Sequence, residues 1–270
     1  MPTAIDAERL QRLLLDGPLE VEGRLVEASN FVLRVWIDDD GGERIPAVYK
    51  PIRGEQPLWD FPEGTLASRE YAAYLISSAG GWDCVPVTAL RPDGPLGAGS
   101  VQQWVGPLDP VAENDLLRID PVAAVPTGYL PVLGVHDEDD QPLVVSHAAL
   151  DALRGVALLD VVLNNADRKA SALILDAGHL YAVDHGLTLH AEEKLRTVLW
   201  GFAGQDLSPV EIGRIDAVRE ELAGPLGEKL RGVIQEDELE ALSDRVDLLR
   251  ATGQFPAPPD DRHPLPWPLW

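Results

Sequence analysis

The chain has 270 residues, 45% of them hydrophobic, which is enough to bury a sizeable core in one large domain or in two lobes. Its 45 acidic residues against 22 basic ones give a formal net charge of −23, and such a surface repels nucleic acids and anionic membranes. There is no basic leader and no apolar run of about 18 residues or more, and the single cysteine, Cys84, excludes an internal disulfide. We therefore expect a cytoplasmic protein that binds neither nucleic acid nor membrane, with Cys84 buried as a packing residue.

The first hundred residues are predicted to form an antiparallel lobe. An amphipathic helix over residues 1–15 comes first. Alternating apolar residues separated by turn residues then predict five strands, at residues 19–26, 31–37, 45–50, 85–90 and 99–105. A helix over residues 65–77 interrupts the strands. Because Gly106 and the proline after it break the pattern, we expect one lobe at residues 1–105 and a second at 106–270.

The second half is predicted to be mainly helical. Residues 114–141 are rich in Pro, Asp and Gly, which predicts irregular packing or a mobile insertion. Ser146 is predicted to cap a helix over residues 149–164. A polar loop at 164–169 is followed by predicted strands at 172–175 and 179–183, a capping box at 208–211, a helix at 236–251 and a proline-rich tail at 256–270. An antiparallel lobe before a helical one is an α+β layout with a cleft where the lobes meet.

One lysine and one glutamate are candidates for holding a polyphosphate. Lys50 ends the third predicted strand, where alternation turns it away from Tyr49, and Glu70 lies on the next helix in a position to pair with it. Phosphoryl transfer uses such a lysine on the α- and β-phosphates, with a carboxylate keeping it in place. On these residues alone, a solvated lysine at a strand end is the slightly favoured interpretation.

Two aspartates are candidates for the remaining chemistry, which needs a metal ligand and a carboxylate that orients or deprotonates the acceptor. Asp167 lies in a polar loop after an apolar helix, although such loops also end ordinary helices. Asp184 ends the following hairpin, where Gly186 permits a sharp turn, so it is either a magnesium ligand or a turn residue. A loop aspartate, a hairpin and a second aspartate place two carboxylates at one cleft.

Other polar residues give weaker signals. Ser29 and Asn30 lie in the first hairpin turn, where a hydroxyl and free amides could cap phosphates, but the turn lacks a Gly-x-Gly-x-x-Gly pattern. The histidines at 147, 179, 185 and 190 lack metal-ligand spacing. His185 is the exception worth testing because it follows Asp184 directly.

Taken together, several motifs resemble the bacterial, mainly actinobacterial, phosphatidylinositol 3/4-kinase-like family of the protein-kinase-like superfamily. They are Val-Tyr-Lys at 48–50, Glu70, a hinge of Val-Gln-Gln-Trp-Val at 101–105, Asn-Ala-Asp-Arg-Lys at 165–169, Val-Asp-His-Gly at 183–186 and Lys-Leu-Arg-Thr-Val-Leu-Trp-Gly at 194–201. The resemblance covers nearly the whole chain. It implies a two-lobed protein-kinase-like fold that uses ATP with Mg²⁺ or Mn²⁺.

The resemblance also implies roles for individual residues. Lys50 would bind phosphates with Glu70 as its partner, and Asp167 would be the catalytic carboxylate, with Lys169 beside it in the loop. Asp184 would bind the metal. The hinge would contribute the remaining ATP-binding positions, namely Gln102, Gln103, Trp104 and Val105.

Two positions depart from the family pattern. In lipid kinases of this superfamily the loop reads Asp-Arg-His with an asparagine three residues later, and the metal motif reads Asp-Phe-Gly. Here Ala172 stands where that asparagine would fall, a place where the bacterial family commonly has a histidine, and His185 replaces the phenylalanine. Ala172 and His185 are therefore candidate positions at which a metal ligand or a phosphate-accepting side chain is altered.

The leading hypothesis is an ATP- and divalent-metal-dependent kinase whose acceptor is a protein, the chain itself or a small molecule. A lipid acceptor is disfavoured because the net charge is −23 and no polybasic cluster is present. With Asp184 as the one secure metal ligand, manganese is expected to help activity. Two alternatives stay open: a nucleotide-binding pseudokinase, and a nucleotidyltransferase that uses the same pocket.

Overall fold

The computed structural model of the chain describes residues 6–25, 30–39, 42, 44–62, 64–108 and 115–270. Within these residues the strands are β1 (Leu19–Arg24), β2 (Leu33–Asp38), β3 (Arg44–Pro51), β4 (Thr88–Arg91), β5 (Gly99–Gln103), β6 (Leu117–Pro121), β7 (Tyr129–His136), β8 (Pro142–Ala148), β9 (Leu173–Asp176) and β10 (His179–Ala182). The helices are α1 (Ala7–Asp16), α2 (Leu66–Ala79), α3 (Asp151–Leu163), α4 (Pro209–Leu222), α5 (Pro225–Leu230) and α6 (Glu236–Thr252). An antiparallel sheet thus precedes a mainly helical lobe, which confirms the predicted α+β class.

The first lobe is built on an antiparallel sheet with strand order β1-β2-β3-β5-β4. Tyr49 and its neighbours across the sheet share one face, and helix α1 covers that face with Leu10 and Leu14. Burying a leucine side chain contributes about 1.5–3 kcal/mol, so these two residues tie the helix firmly to the sheet. Side chains alternate along β3, so Lys50 lies on the opposite face, which α1 leaves free for helix α2 and the cleft.

A second sheet corrects the prediction for residues 114–141, because the structure shows regular strands there from residue 117 onwards. Strands β6, β8 and β7 form an antiparallel sheet in the order β6-β8-β7. The prediction that Ser146 caps a helix is also wrong, since Ser146 lies within β8 and pairs with Arg118 and Pro131. The helix begins at Asp151 instead, after Leu150 in an extended conformation. The prolines and glycines of this segment mark turns and edge strands, which a test for helical or strict alternating periodicity misses.

Helices α3, α4, α5 and α6 share an apolar core, in which α6 packs against α3 and α4, and the β9–β10 hairpin contributes to the same core. Helix α3 contributes fully buried leucines, among them Leu153 and Leu158. The predicted capping box is present: the Ser208 side chain accepts from the Glu211 amide, and the Glu211 carboxylate accepts from the Ser208 amide. Cys84 is a buried free thiol, as predicted, and burial raises its pKa to about 12. Across the described residues, every helix is too short or too polar to cross a bilayer.

Candidate functional site

Lys50 joins the two lobes through its ammonium group. Its Nζ atom contacts Glu70 Oε1 on helix α2 and lies 3.0 Å from Asp184 Oδ1, which follows strand β10. The ion pair predicted between Lys50 and Glu70 is therefore present, and the structure adds Asp184 as a second partner. The exposed fractions differ: the side chain of Glu70 is 3% exposed and that of Asp184 is 68% exposed. Glu70 thus holds the lysine from the buried side of the cleft, while Asp184 faces its open side.

Lys50 and Asp184 stabilise each other's ionised forms. Burial lowers the pKa of the Lys50 ammonium, but the charges of Asp184 and Glu70 outweigh burial and raise this pKa above its ordinary value. The Lys50 charge in turn lowers the pKa of Asp184 to about 2, against the opposing effect of desolvation. Because the Asp184 side chain is largely open to solvent, the pair is screened and contributes little to stability. At neutral pH the cleft therefore presents a fixed cation beside an exposed carboxylate.

The backbone at Asp184 takes an unusual conformation. Its φ is 60°, in the left-handed region that costs a non-glycine residue about 1–2 kcal/mol. The turn predicted beside Asp184 is present at Gly186 and Leu187. A Cβ at Gly186 would lie 3.4 Å from Leu66 Cβ, which is an ordinary van der Waals distance, so the segment lies against α2 without requiring glycine at this position.

Helix α2 is fixed at its N-terminus and on its buried side. Its first residues have no side-chain cap from Thr65, and the Glu55 carboxylate instead accepts from the amides of Leu66 and Ala67 at 3.2 and 2.9 Å. Arg69, next to Glu70, is fully buried and contacts Glu238 of α6. The helix that carries Glu70 is therefore held to the helical lobe as well as to the sheet.

A buried ion pair organises the loop that carries Asp167. Arg168 and Asp160 are both 0% exposed, and their closest contact is 3.0 Å. Arg168 also donates to the Val183 carbonyl oxygen at 2.8 Å, and Asn165 donates to Asp160 Oδ1 at 2.9 Å. Since Val183 precedes Asp184, this one guanidinium connects the loop of Asp167 to the strand end of Asp184. A buried pair that also satisfies its neighbours favours a single arrangement.

Asp167 itself is partly buried at the cleft. Its amide donates to Asn165 Oδ1 at 3.0 Å, and its Oδ2 atom lies 3.0 Å from Lys169 Nζ. Burial raises the pKa of the Asp167 carboxyl above its ordinary value, while the hydrogen bond and charge of Lys169 oppose the rise. A carboxylate shifted in this direction is a better proton acceptor than an ordinary aspartate.

The two positions that depart from the family pattern are both buried. His185 is fully buried and its Nε2 accepts from Arg168 Nη2 at 2.8 Å, so the proton is on Nδ1, which has no hydrogen-bond partner among the described residues. Burial, followed by the charges of Arg168 and Lys50, lowers the pKa of His185 well below its usual range. Ala172 is buried in the turn before β9, and its carbonyl oxygen accepts from the Val183 amide at 3.0 Å. His185 thus supports the loop as a neutral imidazole.

The hinge residues divide between the two faces of strand β5. The Gln102 side chain is buried on the same face as Lys50 and donates to Thr88 Oγ1 at 2.9 Å. Gln103 points to the opposite face, and its amide donates to the Val87 carbonyl oxygen at 2.8 Å. Trp104 donates its indole N–H to the Gly106 carbonyl oxygen, and Val105 is half-buried beside it. Any contact of Gln103 with a nucleotide would therefore come from its backbone.

The turn residues predicted to cap phosphates are only partly described. Ser29 lies outside the described residues. Asn30 Oδ1 accepts from the Gln56 amide at 2.9 Å, so this oxygen holds the segment after β3. A role for Ser29 and Asn30 on phosphates stays a prediction.

Several residues that build the site carry no conspicuous sequence signal. Asp160 and Arg69 are charged residues within helices, Glu238 is one of three acidic residues in the first turn of α6, and Glu55 precedes α2 by eleven residues. The signal that the sequence does offer is a charged residue on a helical face that is otherwise buried. Such a residue indicates an ion-pair partner, because charged side chains are rarely fully buried without one. The sequence does not indicate which partner it has.

The carboxylates of the cleft have the chemistry to hold a metal ion together with phosphates. Mg²⁺ in phosphate sites is held by one or two carboxylates together with the phosphates and water, and Asp184 and Asp167 can supply them. Over the residues that the structure describes, there is no cluster of three side chains able to hold a metal ion alone. A metal would thus be held together with phosphates, for which Lys50 supplies the fixed positive charge.

Comparison with known proteins gives one relative of the whole chain, and no protein-family model matches it. Over 267 residues the chain is 43% identical to protein Rv2133c of Mycobacterium tuberculosis (strain ATCC 25618 / H37Rv), a match that covers 96% of this chain and 94% of that protein. The chain belongs to the family of protein Rv2133c. That name states no activity, so membership in this family assigns none.

Comparison with solved structures supports the fold class. The structure of the Golgi casein kinase matches 95% of this chain and 80% of its own, with a TM-score of 0.51 and 11% sequence identity. The chain therefore has a protein-kinase-like fold, which confirms the fold that the sequence resemblance implies. Weaker likenesses are found to hydra Fam20 with sugar and to the Helicobacter pylori proinflammatory kinase CtkA, with TM-scores of 0.44 and 0.45 at 10% identity. They cover 93% and 89% of this chain, and 89% and 94% of their own.

Proposed function

We propose that this protein is an ATP- and divalent-metal-dependent phosphotransferase. The observation that carries the proposal is the position of Lys50, which is held by the buried Glu70 on one side and faces the exposed Asp184 on the other. A lysine fixed in this way supplies a cation to phosphates without losing side-chain entropy on binding, because its rotamer is already ordered. The kinase-like fold agrees with this assignment.

Different residues of the chain have different roles in the proposed phosphoryl transfer. Lys50 binds and orients the phosphates of ATP. Asp167 accepts the proton of the acceptor hydroxyl, since its pKa is raised by burial and its Oδ2 is held by Lys169 at 3.0 Å. Lys169 is placed to neutralise negative charge that develops next to Asp167. The Asp160–Arg168 pair keeps Asp167 and Asp184 in their relative positions.

When bound, a divalent metal ion would supply positive charge that neutralises the phosphates. Asp184 is the residue that would hold it, because its carboxylate is ionised and 68% exposed. Asp167 is a second carboxylate at the same cleft. Ala172, at the position where the family pattern has a metal-binding asparagine, has no side chain that can help.

The acceptor is proposed to be a protein, the chain itself or a small molecule, in the cytoplasm. The net charge of −23 opposes attachment to an anionic membrane, and it favours acceptors that are neutral or basic. Membership in the phosphatidylinositol 3/4-kinase-like superfamily stays a prediction.

A second candidate function is a nucleotide-binding module without turnover. The observation that favours it is Ala172, which is buried and leaves the metal with fewer ligands than the family pattern provides. This candidate keeps the roles of Lys50 and Glu70 in binding and removes the transfer step.

The test is incubation of the purified chain with ATP labelled at either the γ- or the α-phosphate, with Mg²⁺ or Mn²⁺. We expect label from γ-labelled ATP on protein or in released phosphate, and its loss in Asp184→Asn but not in the exposed surface control Glu240→Gln. Transfer of the α-label alone would identify a nucleotidyltransferase. Binding without any transfer would identify the second candidate, and unchanged transfer in Asp184→Asn would overturn the proposed site.

A further inference from the structure

A second cavity lies in the helical lobe, away from the Lys50 cleft. It has a volume of about 490 Å³, within the range of roughly 300–1,000 Å³ of sites that enclose small organic molecules. Helix α6, the segment after Asp184 and the proline-rich tail form its walls. The apolar part of the lining includes Leu195, Trp200, Leu249 and Phe255. A cavity with this lining buries an apolar body rather than a purely polar one.

Two arginines in the same lining have unused hydrogen-bond donors. Arg245 Nη2 and Arg262 Nε are both buried, and neither has a hydrogen-bond partner in the part of the chain that the structure describes. A buried guanidinium N–H without a partner costs free energy, and because both atoms are closed to solvent as they stand, a rotation of the side chain toward an acceptor in the cavity would recover that cost. Burial lowers the pKa of Arg245 to about 10, which agrees with a cation that its surroundings compensate incompletely.

The charged side chains around the cavity are of both signs. Two guanidinium groups line it, against the single carboxylate of Glu193, which lies 3.3 Å from Arg262 Nη2 and is half exposed. The exposed Asp261 pairs with the other end of the Arg262 guanidinium, at 3.3 Å. Asp244 and Glu238 also act on the charge of Arg245. The unused N–H groups of the two arginines, and not an excess of positive charge, therefore favour a ligand with a negatively charged acceptor.

The cavity is also connected to the loop of Asp167. Arg245 donates to the Val162 carbonyl oxygen at 3.2 Å and to the His190 carbonyl oxygen at 3.4 Å. Asn164, at the end of α3, donates to the same His190 oxygen at 3.0 Å. The segment between Leu195 and Trp200, whose ends line the cavity, is hydrogen-bonded to Arg168 through Arg196 and Val198. An occupant therefore contacts residues that hold the catalytic loop.

We propose that this cavity is a second ligand site, for a small organic anion that carries a carboxylate or phosphate group on an apolar body. The anionic group accepts from Arg245 and Arg262, and the body packs against Trp200 and Phe255. The site is separate from the proposed ATP cleft, so the inference does not depend on whether the protein transfers phosphate.

The test is calorimetric titration of the full chain with octyl phosphate and with octanoate, below their micelle concentrations, compared with neutral octanol and inorganic phosphate. The variants are Arg245→Met and Arg262→Gln. The matched control is Arg250→Gln, on the same helix, whose arginine pairs with Asp216 at 2.6 Å and does not line the cavity. Thermal unfolding of each variant checks that it is folded. If Arg245→Met is unstable, Arg262→Gln, which lies in the tail, tests the proposal by itself.

We expect the wild type to bind both anions with saturation, and at least about tenfold more tightly than octanol or inorganic phosphate, as charge-assisted hydrogen bonds allow. Each folded cavity variant should weaken anion binding by about tenfold and leave octanol binding unchanged, while Arg250→Gln binds like the wild type. Absence of saturable anion binding, equal affinity for octanol or for inorganic phosphate, or unchanged binding in Arg262→Gln would overturn the proposal.

Discussion

Arg69 of helix α2 and Glu238 of helix α6 form an ion pair in which the two side chains are only 1% and 6% exposed. Arg69 also donates to the Thr188 carbonyl oxygen. Its neighbour in the sequence, Glu70, reaches the other way to Lys50. The helix that positions the proposed phosphate-binding lysine is therefore anchored to the helical lobe by a buried charge pair.

Removing one partner of this pair should destabilise the protein strongly. Arg69→Leu leaves the Glu238 carboxylate buried without its cation, and we expect a loss of about 3–5 kcal/mol in the free energy of unfolding. The double variant Arg69→Leu with Glu238→Leu removes both charges and should recover much of that loss. Urea denaturation measures both values. A single variant as stable as the wild type, or a double variant that recovers nothing, would contradict the role assigned to the pair.

Asp167 and Lys169 should differ in their effect on turnover and binding. Asp167→Asn removes the proton acceptor, and we expect phosphate transfer to fall by about 10²–10⁴-fold while ATP affinity changes little. Lys169→Met should reduce transfer by a smaller factor, because it removes a neighbouring charge and keeps the carboxylate. Single-turnover kinetics with γ-labelled ATP separates the two. A loss of ATP binding in Asp167→Asn that matches the loss of transfer would argue for a binding role instead.

Metal preference should follow from the small number of protein ligands. With Asp184 as the one secure ligand and Ala172 in place of another, the site should hold Mg²⁺ loosely, and we expect higher transfer rates with Mn²⁺. Transfer rates measured over a range of Mg²⁺ and Mn²⁺ concentrations test this expectation. In Ala172→Asn, which supplies a second oxygen ligand, the difference between the transfer rates with Mn²⁺ and with Mg²⁺ should become smaller. Magnesium exceeding manganese at every concentration would contradict the expectation.

Stability should fall between pH 7 and pH 5 because of a buried histidine. His147 is fully buried, its Nε2 accepts from the Gly201 amide at 3.1 Å, and burial lowers its pKa. Below pH 6.5 the unfolded chain takes up a proton that the folded chain does not, so the free energy of unfolding decreases by up to about 1.4 kcal/mol per pH unit. His185, whose pKa is also lowered, acts in the same direction.

Denaturation at pH 7, 6 and 5 measures this dependence. His147→Gln should flatten it, because glutamine still offers an oxygen to Gly201 but does not titrate. The exposed His136→Gln on strand β7 is the matched control and should keep the wild-type slope. An equal slope in His147→Gln would show that the proton uptake lies elsewhere.

Local patterns predicted the parts of the fold that depend on local chemistry. Alternation along β3 put Lys50 on the face away from Tyr49, and the turn chemistry around Asp184 placed it at a hairpin end, as the structure shows. Sheet β6-β8-β7 was missed because prolines lie within its strands, at Pro121, Pro131 and Pro142. Ser146 is of a residue type that caps helices, but it lies in a strand.

The long-range contacts of the site could not be predicted in this way. Arg69 and Glu238 are 169 positions apart, and a buried charge in a helix does not reveal its partner. Asp160 and Arg168 lie only eight positions apart, yet their pairing depends on the loop turning back over the end of α3. The φ of 60° at Asp184 is likewise imposed by the contacts that surround it rather than by its own preference.

The most direct measurement is a calorimetric titration of the chain with ATP, with and without Mn²⁺, alongside Lys50→Met and the exposed control Glu240→Gln. The proposed site predicts saturable binding that requires the metal, is weakened at least about tenfold by Lys50→Met and is unchanged in the control. It also predicts that ATP raises the melting temperature of the wild type, because a ligand of the folded state alone stabilises that state. Absence of ATP binding at millimolar concentration, or equal binding by Lys50→Met, would contradict a nucleotide site at Lys50, Glu70 and Asp184.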